Sequence, residues 1–220
     1  DNFETIVNAV EEGRNIVKNL KSAIKYLLSC NITEAISLIG GLAAGVPALF
    51  YPIQLLYINL VTDGYPALSL SFSPRNKNLM KTPPEKEVVL LKGKDMKYIF
   101  IVGVISSILV LGSYYFFSQR ETILGYSAAF SVLTLIQSFI FVDLWLNHQS
   151  LRGNLKLLFK PVFIFAFLFP FISQFIIVKS TFVSSLFKTS TVDVLTYIQF
   201  MFIASFVLLG IKVVKKVIRY

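Results

Sequence analysis

Asn31 and Glu34 stand three residues apart, and Asn59, Thr62 and Asp63 follow at i, i+3 and i+4. Each set is in register with one face of a helix. Together they offer two carboxylates, two amide oxygens and a hydroxyl. Hard cations such as Ca2+ take an all-oxygen set of this kind, with about six to eight ligands. A soft metal needs Cys and His, and the chain holds one of each, Cys30 and His148. Both sets lie in long apolar stretches, where a charged group at mid-membrane costs about 2.5–3.5 kcal/mol. An interhelical hydrogen-bond patch would account for Asn31 or Thr62 alone. It gives no reason to bury Glu34 opposite Asp63, so the spacing predicts a cation pocket.

The elements that must position these residues follow from composition. The chain has 220 residues, 55% hydrophobic, with 21 phenylalanines and a mean hydropathy of +0.69. Soluble domains sit near about 45–50% apolar. Six segments, about 24–45, 49–72, 98–117, 123–146, 161–178 and 194–214, are long enough to cross a hydrocarbon core of about 30 Å. The predicted fold is all-α, a polytopic membrane bundle of six transmembrane helices in membrane lipid. Residues 1–23 form a mixed polar and apolar lead into the first span, with Ile6, Val7 and Val10 at helical spacing. Gly45, Pro47 and Pro52 punctuate a tight turn, so the first two spans form an antiparallel hairpin with facing polar stripes. Pro66, just after Asp63 and Gly64, removes a helix hydrogen bond and is expected to free carbonyl oxygens for coordination. Broken helices beside carboxylates recur at transporter ion sites.

Net charge is +9, and its placement matters more than its size. With six spans, all but three of the 21 Lys and Arg fall on the side of the N-terminus, the loop around Asn76 to Lys97, the loop of Asn147 to Lys160 and the C-terminal tail. Arg120, Lys179 and Lys188 lie on the other side. The asymmetry predicts that both termini are cytoplasmic. A nucleic-acid partner is excluded, because no basic stripe with aromatic partners sits in a soluble domain. The single cysteine rules out an internal disulfide. The chain begins Asp1-Asn2-Phe3, without Met, and reads as cut from something larger.

Other polar residues carry weaker signals. Gln137, mid-span in the fourth helix, is read as a sixth ligand, with a packing hydrogen bond as its alternative. Asp143 is expected to pair with a Lys or Arg of a loop, Trp145 to anchor at the interface, and Cys30 to be a small buried filler. Ser37, Ser131 and Thr134 read as helix-contact residues, and His148 as solvated.

Asn59-Leu60-Val61-Thr62-Asp63-Gly64-Tyr65-Pro66-Ala67 closely resembles the sixth-helix motif NLVTDGLPA of calcium-type P-type ATPases. Ser29-Cys30-Asn31-Ile32-Thr33-Glu34 is similar to the fifth-helix motif of that family, and Asp1 to Arg14 resembles the end of its phosphorylation domain. Leu79-Met80-Lys81-Thr82-Pro83-Pro84 and Asn147-His148-Gln149-Ser150-Leu151 are similar to its loops after the sixth and eighth helices. The resemblance covers the chain and makes its spans family helices five to ten. It implies that residues 1–23 end the phosphorylation domain and stalk, that residues 24–220 are the transmembrane domain, and that Asn31, Glu34, Asn59, Thr62 and Asp63 are ion ligands. Asp63 would be shared between two cations. One departure stands out, since two-site calcium pumps carry a Glu in the eighth helix where this chain has Gln137.

The implied activity is ATP-driven cation transport, with Ca2+ as the expected cargo and Mn2+, Na+ or K+ as alternatives. ATP and Mg2+ would bind in cytoplasmic domains outside these 220 residues, which hold no DKTG or TGE segment. Those domains and family helices one to four would be partners in the same pump. An ATP-independent cation carrier or channel is the alternative from another class.

Overall fold

The computed structural model describes residues 2–73, 80, 89–146 and 158–218, and every regular element among them is helical. The loop motifs at 79–84 and 147–151, with His148, lie outside the described residues apart from Met80. The order is α1 (Asn2–Ala43), α2 (Pro52–Tyr57), a π-helical turn (Ile58–Thr62), α3 (Gly64–Ser71), α4 (Gly93–Ser118), α5 (Thr122–Leu146), α6 (Pro161–Lys179), α7 (Thr181–Phe187) and α8 (Val194–Ile218). Five of these helices are long and apolar enough to cross a membrane, namely α1, α4, α5, α6 and α8. The chain is an integral, multi-pass membrane protein. The expected second span, 49–72, is divided among α2, the π turn and α3.

At 42 residues, α1 is about 63 Å long, twice the thickness of a hydrocarbon core. Its end follows from Gly45, whose φ of 82° only glycine adopts without strain. Val46 N donates to Gly41 O at 2.9 Å and Gly45 N to Leu42 O at 3.1 Å, a Schellman closure. Pro52 then opens α2 at its first turn, where a missing N–H costs nothing. The predicted hairpin turn is therefore present, and α1 packs back on α3.

At the centre of the bundle lies α5, where every side chain from Ser127 to Ser138 is buried. A helix apolar on all sides has to be enclosed. Against it lie α4, α6 and α8, while Phe202, Leu209 and Val213 of α8 point outward as a lipid-facing surface does. Where α1 meets α4, a Cβ on Gly103 would stand 2.5 Å from Ile32 Cγ2. Small residues allow such close backbone approach in membrane bundles. One turn on, the Ser107 hydroxyl is shared between Thr33 O (2.9 Å) and Gly103 O (2.8 Å). This contact fixes the backbone of α1 immediately before Glu34.

Two expectations need correction. Trp145 is not an interfacial anchor: it is 1% exposed, packed between Phe141 (5.7 Å) and Phe163 (5.5 Å). Asp143 is ion-paired as expected, but its partner is Lys215 of α8 at 2.6 Å, not a loop residue. Tyr98 OH donates to the other carboxylate oxygen at 2.8 Å, so α4, α5 and α8 meet there. Outside the spans, Asp193 caps α8 by accepting from Thr196 N at 3.1 Å. The Thr196 hydrogen bonds hold its carboxyl below the usual carboxylate range.

Candidate functional site

The site is built where α1, the π turn and α5 converge. Asp63 N bonds to Ile58 O at 2.9 Å, an i→i−5 closure that widens the turn. Single π turns of this kind interrupt α-helices at functional positions. Pro66 contributes differently from the sequence expectation. Lacking an N–H, it leaves Thr62 O without its helical donor. That carbonyl is not free for a ligand, because Tyr26 OH donates to it at 2.9 Å from α1.

Four of the six expected ligands come together in the interior. Glu34 is 8% exposed, Thr62 0%, Asp63 2% and Gln137 1%. Thr62 Oγ1 donates to Gln137 Oε1 at 2.7 Å and also lies 3.1 Å from Ile58 O. Gln137 Nε2 reaches Glu34 Oε1 over a long 3.4 Å. Gln137 thus makes the packing hydrogen bonds that were its alternative reading while standing inside the pocket.

Asp63 is the exception in this network. Both of its carboxylate oxygens are buried without a hydrogen-bond partner. Cys30 of α1 is its side-chain neighbour, and Glu34 is the nearby second carboxyl group. A buried, unpaired carboxylate is costly in any interior.

Asn31 is not drawn in, and Asn59 stands at the edge of the site. Both are exposed, and Asn59 Nδ2 donates to Leu55 O at 2.9 Å while its amide stays beside the Glu34 carboxylate. Across the widened turn Asn59 is exposed at the rim, while Thr62 and Asp63 are buried. Asn31, Ala35, Ile39 and Leu42 of α1 are exposed, as are Leu56, Asn59 and Leu60. Among the described residues no three Asp, Glu, His or Cys side chains converge in metal-ligating geometry. The donors beyond the carboxylate pair are neutral oxygens, which suit hard cations.

Sequence reasoning missed Tyr26, while Cys30 is buried as expected. The signal was available, because Tyr26, Cys30 and Glu34 recur every four residues on one face of α1. A second polar cluster was also missed. Buried Gln174 donates to Ser131 Oγ at 2.9 Å, and Tyr57 OH and Ser173 Oγ are 2.6 Å apart. Gln54 Nε2 donates to Phe187 O at 2.8 Å, so α2 is tied to α6 and α7. On the other side of the break, Asn19 Nδ2 donates to Ser71 O (3.2 Å) and Ser73 O (3.0 Å), tying the end of α3 to α1.

A polytopic helical membrane protein with a buried carboxylate pair at a broken helix belongs to the class of ion-handling membrane proteins. The particular family is shown by sequence: the family described as "Cation transporting ATPase, C-terminus" matches residues 47–217, and the chain belongs to it. "Calcium-transporting ATPase 2, endoplasmic reticulum-type" of Arabidopsis thaliana is 38% identical over 155 residues, covering 70% of this chain and 15% of the relative. "Calcium-transporting ATPase 4, endoplasmic reticulum-type" of the same plant is 38% identical over 126 residues, 57% of this chain and 12% of the relative. The matched part of the chain therefore spans less than a sixth of the length of these relatives.

Proposed function

We propose that this chain is the ion-translocating membrane part of an ATP-driven P-type cation pump whose cargo is Ca2+. The observation that carries the reading is Asp63, buried with both oxygens unpartnered beside Glu34 at a π turn. A cation accepted there would supply the positive charge that the pocket lacks. Thr62 and Gln137 would add neutral oxygens, and Asn31 and Asn59 would join from the rim when further membrane helices of the pump cover it. The names of the relatives support Ca2+ over other cations that oxygen ligands accept.

In this reading the α2–π–α3 segment is the sixth crossing, and both termini are cytoplasmic. Residues 1–23 carry α1 toward the phosphorylation domain, where ATP and Mg2+ bind outside this chain. Endoplasmic reticulum is the membrane that the relatives' names suggest. In the pump polypeptide that carries this chain, Asp63→Asn removes a charge no neighbour replaces. Ca2+-dependent phosphorylation from ATP is expected to disappear. An Asp63→Asn protein with normal Ca2+ dependence refutes the assignment.

A further inference from the structure

Tyr26, Cys30 and Glu34 lie along one face of α1, four residues apart. Tyr26 at one end donates to Thr62 O, and Glu34 at the other meets Gln137. Cys30 is held between them, 0% exposed, against the segment where Asp63 turns inward. Asp63 is a side-chain neighbour of Cys30, and neither of its buried carboxylate oxygens is partnered. A filler in a lipid-depth core needs no carboxylate beside it, and an all-oxygen pocket needs no sulfur.

We propose that Cys30 is a sulfur donor to a cation held at Asp63, so that the pocket also takes thiophilic divalent ions of the Cd2+ or Zn2+ class. The inference rests on the reading of Asp63 as an ion ligand and extends it to a second class of cargo. Soft thiolate favours such ions over Ca2+, which prefers oxygen throughout. Binding would release the thiol proton to water as the metal–sulfur bond forms, with no change of oxidation state. No point in the structure is at ligating distance from Cys30, Glu34 and Asp63 together. Sulfur therefore enters as one donor beside the Asp63 carboxylate, not as part of a preformed three-residue cage.

The test uses the complete pump polypeptide. Cd2+ is added to wild type and to Cys30→Ser, and the thiolate-to-cadmium charge-transfer absorbance is read as the difference between them, which cancels other cysteines. Half-saturating Cd2+ and Ca2+ for phosphorylation are measured on the same proteins and on Asp63→Asn. A difference band that excess Ca2+ erases in wild type is expected, and the Cd2+-to-Ca2+ affinity ratio should fall about tenfold or more in Cys30→Ser. An intact Ca2+ response with no difference band, or with an unchanged ratio, overturns the sulfur donor and leaves the ion site standing. A band that excess Ca2+ leaves in place also overturns it, and this readout on wild type needs no active variant. Responses to both ions that survive Asp63→Asn overturn the ion-site reading itself.

Discussion

Replacing Tyr26 by Phe removes one hydroxyl and keeps the ring. The lost hydrogen bond is the 2.9 Å contact to Thr62 O, a carbonyl that has no backbone donor because residue 66 is proline. Thr62 is fully buried, so no water can take the place of Tyr26. A buried acceptor left without a donor costs about 1–3 kcal/mol. Side-chain hydrogen bonds measured in membrane bundles average nearer about 0.6 kcal/mol, with a maximum near about 1.7. The cost of Tyr26→Phe should therefore be on the order of 1 kcal/mol. Pro66→Ala restores an N–H four residues after Thr62, the position from which a regular helix would satisfy that carbonyl. In the Pro66→Ala background the hydroxyl becomes redundant, and Tyr26→Phe should cost about 0.3 kcal/mol or less. The assay is a double-mutant cycle on the free energy of unfolding in detergent, followed by helical circular dichroism. If the two costs simply add, the proline-orphaned carbonyl is not what Tyr26 satisfies, and the account of the break is wrong.

Gly103→Ala places a Cβ 2.5 Å from Ile32 Cγ2, so α1 and α4 must part, at a cost of about 1–3 kcal/mol; Ile32→Ala should recover most of it in the same unfolding assay. Lys215→Met leaves Asp143 with Tyr98 alone, and because both members of the ion pair are partly exposed the loss should be about 1 kcal/mol or less. Single cysteines at Lys94→Cys and Arg120→Cys, with Cys30 replaced by Ser, should react with an impermeant thiol reagent from opposite faces of oriented vesicles, position 94 from the cytoplasmic face; labelling of both from one face contradicts the proposed topology.

Much of the bundle was legible because lipid imposes a single strong rule, that long apolar runs close their own hydrogen bonds as helices. The hairpin turn was legible for a local reason too, since Gly45 sits where only a positive φ closes α1. What the sequence left open depends on neighbours. Helical spacing gives an angle about a residue's own axis, so it put Asn59, Thr62 and Asp63 on one face. With the i→i−5 closure at Asp63, Thr62 and Asp63 are buried while Asn59 is left exposed at the rim. Pro66 announced a missing hydrogen bond, yet only packing shows that Tyr26 answers it. Trp145 has the composition of an interfacial residue, and only the aromatic rings brought by α5 and α6 show that it is buried.

The break and the buried carboxylate belong together for a mechanical reason. The hydrogen bonds of Gln54 and Tyr57 hold α2 to α6 and α7, whereas Asn19 holds the end of α3 to α1. A shift of α1 against the rest of the bundle would therefore act on the α3 half through these hydrogen bonds, although α3 also packs on α6 through Tyr65. Between the halves lies the widened turn, with a carbonyl held by a side chain instead of by its own helix. Helices bend where the regular hydrogen-bond ladder is already interrupted, at prolines and π turns. Asp63 follows immediately after that turn, while Gln137 sits on the enclosed α5. An unbroken helix would carry Asp63 along with all of its neighbours. A broken one would allow Asp63 to move relative to Gln137 while most of the bundle packing stays in place.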